Sequence, residues 1–164
     1  MSNTIILGGL LMSPYYKYKK EKFLEKYKSA YDNLNDLKEA IDEYKKSQNR
    51  IVRRAMFAFF QDFCEYIVDM CESYLVVNNK KLDSSTSALQ LIQSAFENDF
   101  FDEKLKNYLS MAVKLRNRYT HDYYKRKESE NQIEMFCFDK LSYLEIFLEE
   151  SKDHVILKYR EIEK

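Results

Sequence analysis

A chain almost without glycine and proline is barred from many folds. Of its 164 residues only Gly8, Gly9 and Pro14 belong to these two types, so residues 15–164 contain neither. Tight hairpins and phosphate-cradling loops lean on glycine, which excludes a β-rich fold, a dinucleotide-binding fingerprint and a P-loop. The rest is rich in Lys, Glu and Leu, all good helix formers, and reads as nearly all helix. With 45% hydrophobic and 33% charged residues the balance is globular rather than disordered, and the length suits one domain.

Apolar periodicity divides the chain. From about Tyr15 to Ser47, the positions Phe23, Tyr27, Ala30, Leu34, Leu37, Ile41 and Tyr44 step alternately by four and three. This heptad seam predicts a long helix packed along its length against a partner, in the same bundle or in a second subunit. Ser47 or Asn49 can cap the next helix, about 50–77, which is apolar on more than one face and so is central or shares a face with another subunit. The polar stretch Asn78–Ser87 is the longest loop. A short helix, about 86–97, presents Leu89, Ile92 and Phe96, and Asn98–Asp102 forms a turn with Asp102 as the next N-cap. Leu105, Leu109 and Ala112 mark a fourth helix, and a last helix, about 131–160, runs from Ile133 through Phe136, Cys137, Leu141, Leu144, Phe147 and Leu148 to Val155.

Four long helices and a short one predict an all-α fold, an antiparallel up-and-down helical bundle over a single domain, residues 15–164. Residues 1–14 read as a flexible apolar leader, too short to span a bilayer and without the charged flank or cleavage site of a signal peptide. Cys64, Cys71 and Cys137 fit core positions rather than a disulfide framework. Free thiols without an export signal predict a cytoplasmic protein, with no membrane partner. Two histidines and no Cys-x-x-Cys leave little from which to build a metal site, and no cofactor is expected.

Lysine plus arginine and aspartate plus glutamate number 27 each, yet the charge is unevenly placed. Residues 114–127 carry Lys114, Arg116, Arg118, Lys125, Arg126 and Lys127 against Asp122 alone, whereas residues 128–164 carry ten acids and five bases. A basic island in a neutral protein points to a local anion site. The plainer reading is a solvated helix end whose cations offset the helix dipole.

The fourth helix's apolar stripe runs directly into Arg116, in the segment Arg116-Asn-Arg-Tyr-Thr-His121-Asp-Tyr123. An arginine in register with a buried stripe points toward the bundle or a cleft beside it. Tyr123 would share that face if the helix continued, while His121 would lie about 140° away at 100° per residue. Arg116 and His121 can converge only if the helix tightens or ends nearby, or if a second subunit supplies one of them. Without further context the segment also reads as a helix C-terminus, with Arg and His near the last carbonyls and Tyr as a packing residue.

Arg116-x4-His121-x-Tyr123 resembles the motif of HepT-like proteins, a branch of the HEPN superfamily, where it closes a helix that follows a short apolar one. Here the lead-in is Ala88-Leu-Gln-Leu-Ile-Gln-Ser-Ala-Phe96, then Leu105 to Leu115. Asn117 after the arginine agrees, as does the second helix opening Arg50-Ile-Val-Arg-Arg; the similarity covers roughly residues 20–150. The resemblance implies a HEPN-like bundle and the toxin of a type VII-like toxin–antitoxin pair. Such a toxin is a metal-independent endoribonuclease whose cleft forms at a homodimer interface. Its partner is a minimal nucleotidyltransferase antitoxin that silences it by transferring AMP to the motif tyrosine. Carried over, Arg116 and His121 are the catalytic residues and Tyr123 is the AMPylation site.

The side chains suit that chemistry. RNA cleaves itself when a 2′-hydroxyl attacks the adjacent phosphorus, an imidazole can take or return the proton, and a guanidinium can grip the non-bridging oxygens. Lys114, Arg118, Lys125 and Arg126, with Lys127, would steer RNA phosphates, and Asn117 would orient the arginine or the phosphate. Tyr119 and Tyr124 are candidate base-stacking residues. His154, in an acidic helix, reads as structural or surface-exposed. An alternative from another class is a non-catalytic nucleotide- or substrate-binding helical subunit of a nucleotidyltransferase. A third is a structural helical dimer in which the motif is only a helix cap.

Overall fold

The computed structural model describes residues 5–7, 10–12 and 14–156, with side chains described from 21 to 154. Six helices carry the fold: α1 (Pro14–Ser47), α2 (Arg50–Val77), α3 (Ala88–Glu97), α4 (Glu103–His121), α5 (Arg126–Asp139) and α6 (Leu141–Ser151). Before them, β1 (Ile5–Leu7) and β2 (Leu10–Met12) pair antiparallel with Leu7 opposite Leu10. Gly8 and Gly9 stand between these two short apolar runs, a recognised hairpin pattern, within the segment expected as a leader.

The partner of the heptad seam is α2 of the same bundle. Phe23, Ala30, Leu34, Leu37, Ile41 and Tyr44 are buried, Tyr27 is half-buried, and Asn33 Nδ2 donates to the Phe59 carbonyl across the seam at 2.9 Å. The first break falls where expected, with Asn49 as the cap: its Oδ1 accepts from the Ile51 and Val52 amides at 2.8 and 3.2 Å. Packed by α1, α3, α4 and α5, α2 is the central helix, and Met56, Phe60, Phe63, Ile67 and Met70 are fully buried. Its Arg53 ties it to α5, donating from Nη1 to Glu130 at 3.0 Å and from Nε to Glu134 at 3.2 Å while lying over the Phe57 ring. Burial alone would lower the pKa of Arg53, but the carboxylates of Glu134 and Glu130 raise it above its ordinary value.

Without glycine, the bundle makes its reversals with other residues. Gln48, Asn79 and Asp99 take positive φ angles of 53°, 60° and 66°, just past the ends of α1, α2 and α3. Two of the three are the Asn and Asp that tolerate this region best. The turn after α3 is also a plug. Phe100 and Phe101 are buried, Phe100 stacks on Tyr74 at 4.2 Å, and the Tyr74 hydroxyl donates to the Asn98 carbonyl.

Two expectations are corrected. The buried stripe of α3 is Leu91, Ile92 and Ala95, with Leu89 and Phe96 only half-buried. The expected single last helix is two, broken at Lys140 (φ −123°, ψ 8°), so the bundle has six helices rather than five. The apolar period passes through this break unaltered. The two halves bury against different neighbours, α5 against α4 and α2, α6 against α1 and α4. One straight rod would not reach both sets. Among the described residues, no helix is long and apolar enough to cross a membrane.

Candidate active site

Asp102 starts α4, accepting from the Leu105 amide at 2.8 Å, and so sets the helix in register with the core. Leu105, Leu109 and Ala112 are buried, and the next step along that stripe is Arg116, whose side chain is only 18% exposed. It points inward, toward α2. Its Nη1 lies 3.7 Å from Glu65 Oε1, and its Nε donates to Asn117 Oδ1 at 3.0 Å. Asn117, the residue next in sequence, is thus the arginine's hydrogen-bond acceptor. The far end of the guanidinium reaches the edge of the seam, because Glu65 itself is largely exposed.

The helix ends on His121. The Asp122 amide closes the last turn on the Arg118 carbonyl at 2.8 Å, and Asp122 itself (φ −97°, ψ 75°) leaves helical geometry. Tyr123–Lys125 form a single 3₁₀ turn leading into α5. Tyr123 is therefore off the helix and does not continue the Arg116 face; the residue is 70% exposed. His121 is exposed and makes no hydrogen bond or ion pair with any described residue. As the last residue of an unbroken helix, it is turned about 140° from Arg116. The fold does not aim the two side chains at one point within a single chain.

Among the supporting residues, Lys114 and Lys125 are exposed. Arg118 Nη1 donates to Gln132 Oε1 on α5 at 3.4 Å. The Arg126 guanidinium lies over the Tyr119 ring at 4.6 Å, and that ring packs on Phe57 at 5.7 Å. Tyr119 is thus held by its neighbours, whereas Tyr124 is 92% exposed. His154 pairs with Glu150 at 2.7 Å on the surface. All three cysteines are buried, and burial pushes their thiol pKa values far above the ordinary range.

Glu65 is the residue that sequence reasoning missed. On α2 it is one carboxylate among several, and nothing local marks it as the partner of an arginine on α4. Two clefts flank the outer side of the motif, an apolar one of about 340 Å³ between α4 and α5 and a polar one of about 300 Å³ where α4 passes into α5. Arg116 and His121 line neither.

No curated protein matches the chain. The family described as "Ribonuclease HepT-like" matches residues 27–151, a span running from the α1 seam through the motif to the end of α6. The chain belongs to the HepT-like ribonuclease family.

Proposed function

We propose that the protein is a metal-independent endoribonuclease, the toxin of a type VII-like toxin–antitoxin pair, acting in the cytoplasm as a homodimer. The observation that carries this reading is the placement of Arg116 in a chain of this family. The guanidinium is held at the α2–α4 seam by Glu65 and Asn117, while His121 ends the same helix without a partner among the described residues.

The reaction follows from these groups. One imidazole takes the proton of a ribose 2′-hydroxyl, whose oxygen attacks the adjacent phosphorus. The bond from phosphorus to the 5′-oxygen breaks, and that oxygen receives a proton from a second imidazole. The products are a 2′,3′-cyclic phosphate and a 5′-hydroxyl. Arg116 holds the non-bridging oxygens, where negative charge grows in the transition state. Two imidazoles and a converging Arg116 require two chains, because one helix turns His121 away from Arg116. That geometry supports a cleft on a two-fold axis. Lys114, Arg118 and Lys125 would bring RNA to it, with the exposed Tyr124 available for stacking.

A cognate nucleotidyltransferase would silence the enzyme at Tyr123. The tyrosine oxygen attacks the α-phosphorus of ATP and pyrophosphate leaves. The bulky anion is then fixed close to His121. The exposure of Tyr123 supports this role, since a second enzyme can reach its hydroxyl without unfolding anything.

The test combines mass spectrometry with a cleavage assay. Protein co-expressed with a candidate nucleotidyltransferase should gain mass in AMP units on the peptide holding Tyr123. Unmodified protein should cleave RNA without added metal, and a His121→Ala dimer should not. Nucleotide binding without cleavage would replace this reading by that of a binding subunit.

A further inference from the structure

We infer that the trough between α4 and α5, on the face of α4 turned away from Arg116, is a binding site for a nucleoside phosphate. Its two clefts adjoin at Arg118 and Gln132, which line both and bond to each other at 3.4 Å. Volumes of about 340 and 300 Å³ are each within the lower range of small-molecule sites.

The polar half has the parts of a phosphate site. Lys125 and Arg118 line it, and α5, a helix of 14 residues, begins there with no side-chain cap on its N-terminus. The first-turn amides of an uncapped helix attract anions. An independent observation points the same way. Ser129 lines this half at 2% exposure, yet its hydroxyl makes no hydrogen bond with any described residue. A buried hydroxyl left unpaired is costly, and a phosphate oxygen would satisfy it.

Asp122 and Glu128 also line this half, which a bare anion site would not favour. They fit a nucleotide better, since carboxylates accept hydrogen bonds from ribose hydroxyls. The other half supplies the surface a base needs. Leu115 and Phe136 stand beside Met111 and Met135, which are 44% and 62% exposed. Thioether sulfurs pack favourably on aromatic rings. The trough thus has one largely apolar half for a base and one half in which Lys125 and Ser129 can meet a phosphate and Asp122 and Glu128 the sugar hydroxyls.

The ligand is either a free mononucleotide or one nucleotide of an RNA strand. Only the second case rests on the ribonuclease reading. The probes are AMP and a short single-stranded RNA, titrated by calorimetry into the full chain. The variants are Met135→Asp, Ser129→Ala and His121→Ala; Met135 and Ser129 line the trough and have no part in the two-fold cleft, and thermal melts verify folding.

Weakening of AMP binding by about tenfold or more in both trough variants, with His121→Ala binding as wild type, establishes a free-nucleotide site. RNA binding that falls likewise in the trough variants on a His121→Ala background, without AMP binding, establishes a subsite for a nucleotide in a strand. Affinity for both probes unchanged by both variants, or no binding of either, overturns the inference. So does a protein partner that Met135→Asp dislodges while neither nucleotide probe responds. Loss of cleavage in His121→Ala is read separately, so the failure of one reading is not mistaken for failure of the other.

Discussion

The Arg116 guanidinium on α4 lies 3.7 Å from the Glu65 carboxylate on α2, and this pair joins the motif helix to the central helix of the bundle. The pair is asymmetric, with arginine mostly covered and glutamate largely in water, so its Coulomb energy is screened and small. Its value is positional. The arginine's Nε is committed to Asn117 and its Nη1 faces Glu65, so the two contacts fix where the guanidinium stands.

Arg116→Ala should therefore cost little stability, about 1 kcal/mol or less, most of it from the buried aliphatic stem. Cleavage should fall by about 100-fold or more. Thermal melts and initial cleavage rates on the same preparation check both halves.

His121→Ala should separate the two properties more cleanly. The side chain is exposed and bonded to no described residue, so stability should stay within about 0.5 kcal/mol of wild type. Loss of a general acid–base group should lower kcat by about 100-fold to 10,000-fold. A large drop in melting temperature would show that His121 serves the fold instead.

Arg53 offers the opposite case, a charge serving architecture. It bonds Glu130, Asn131 and Glu134 and covers the Phe57 ring, so Arg53→Met leaves two half-buried carboxylates without their cation. Denaturant unfolding should register a loss of about 1–3 kcal/mol.

Removing the cap of the central helix should also be measurable. Asn49→Ala deletes the acceptor for two first-turn amides and should cost about 1 kcal/mol in the same assay.

The cysteines predict a chemical result. Cys64, Cys71 and Cys137 are buried with thiol pKa values driven up, so a thiol reagent at neutral pH should leave the native protein unlabelled. In denaturant it should label all three. Fast labelling of the native protein would contradict the packing around α2.

Much of the architecture was legible because it rests on local signals. The bounds of α2, the Asn49 and Asp102 caps and the seam of α1 follow from periodicity and capping chemistry. The break at Lys140 was not legible, since Cys137, Leu141 and Leu144 keep helical spacing across it. Only the choice of neighbours decides the bend. The aromatic plug after α3 was hidden for a related reason: Phe100 and Phe101 sit in a segment whose polar flanks read only as a turn. At the site, the inward direction of Arg116 was readable from its register with Ala112. Glu65 and Ser129 were not, because each acquires meaning only from an element distant in sequence or from the burial of a single hydroxyl.

The order of the elements along the chain bears on how the protein emerges from a ribosome. The α1–α2 hairpin can close its seam once the chain has reached Val77, by a local contact of the kind that forms quickly. Arg116 is added onto this platform afterwards, and Tyr123 later still. A nascent molecule thus acquires its scaffold first and its motif only afterwards.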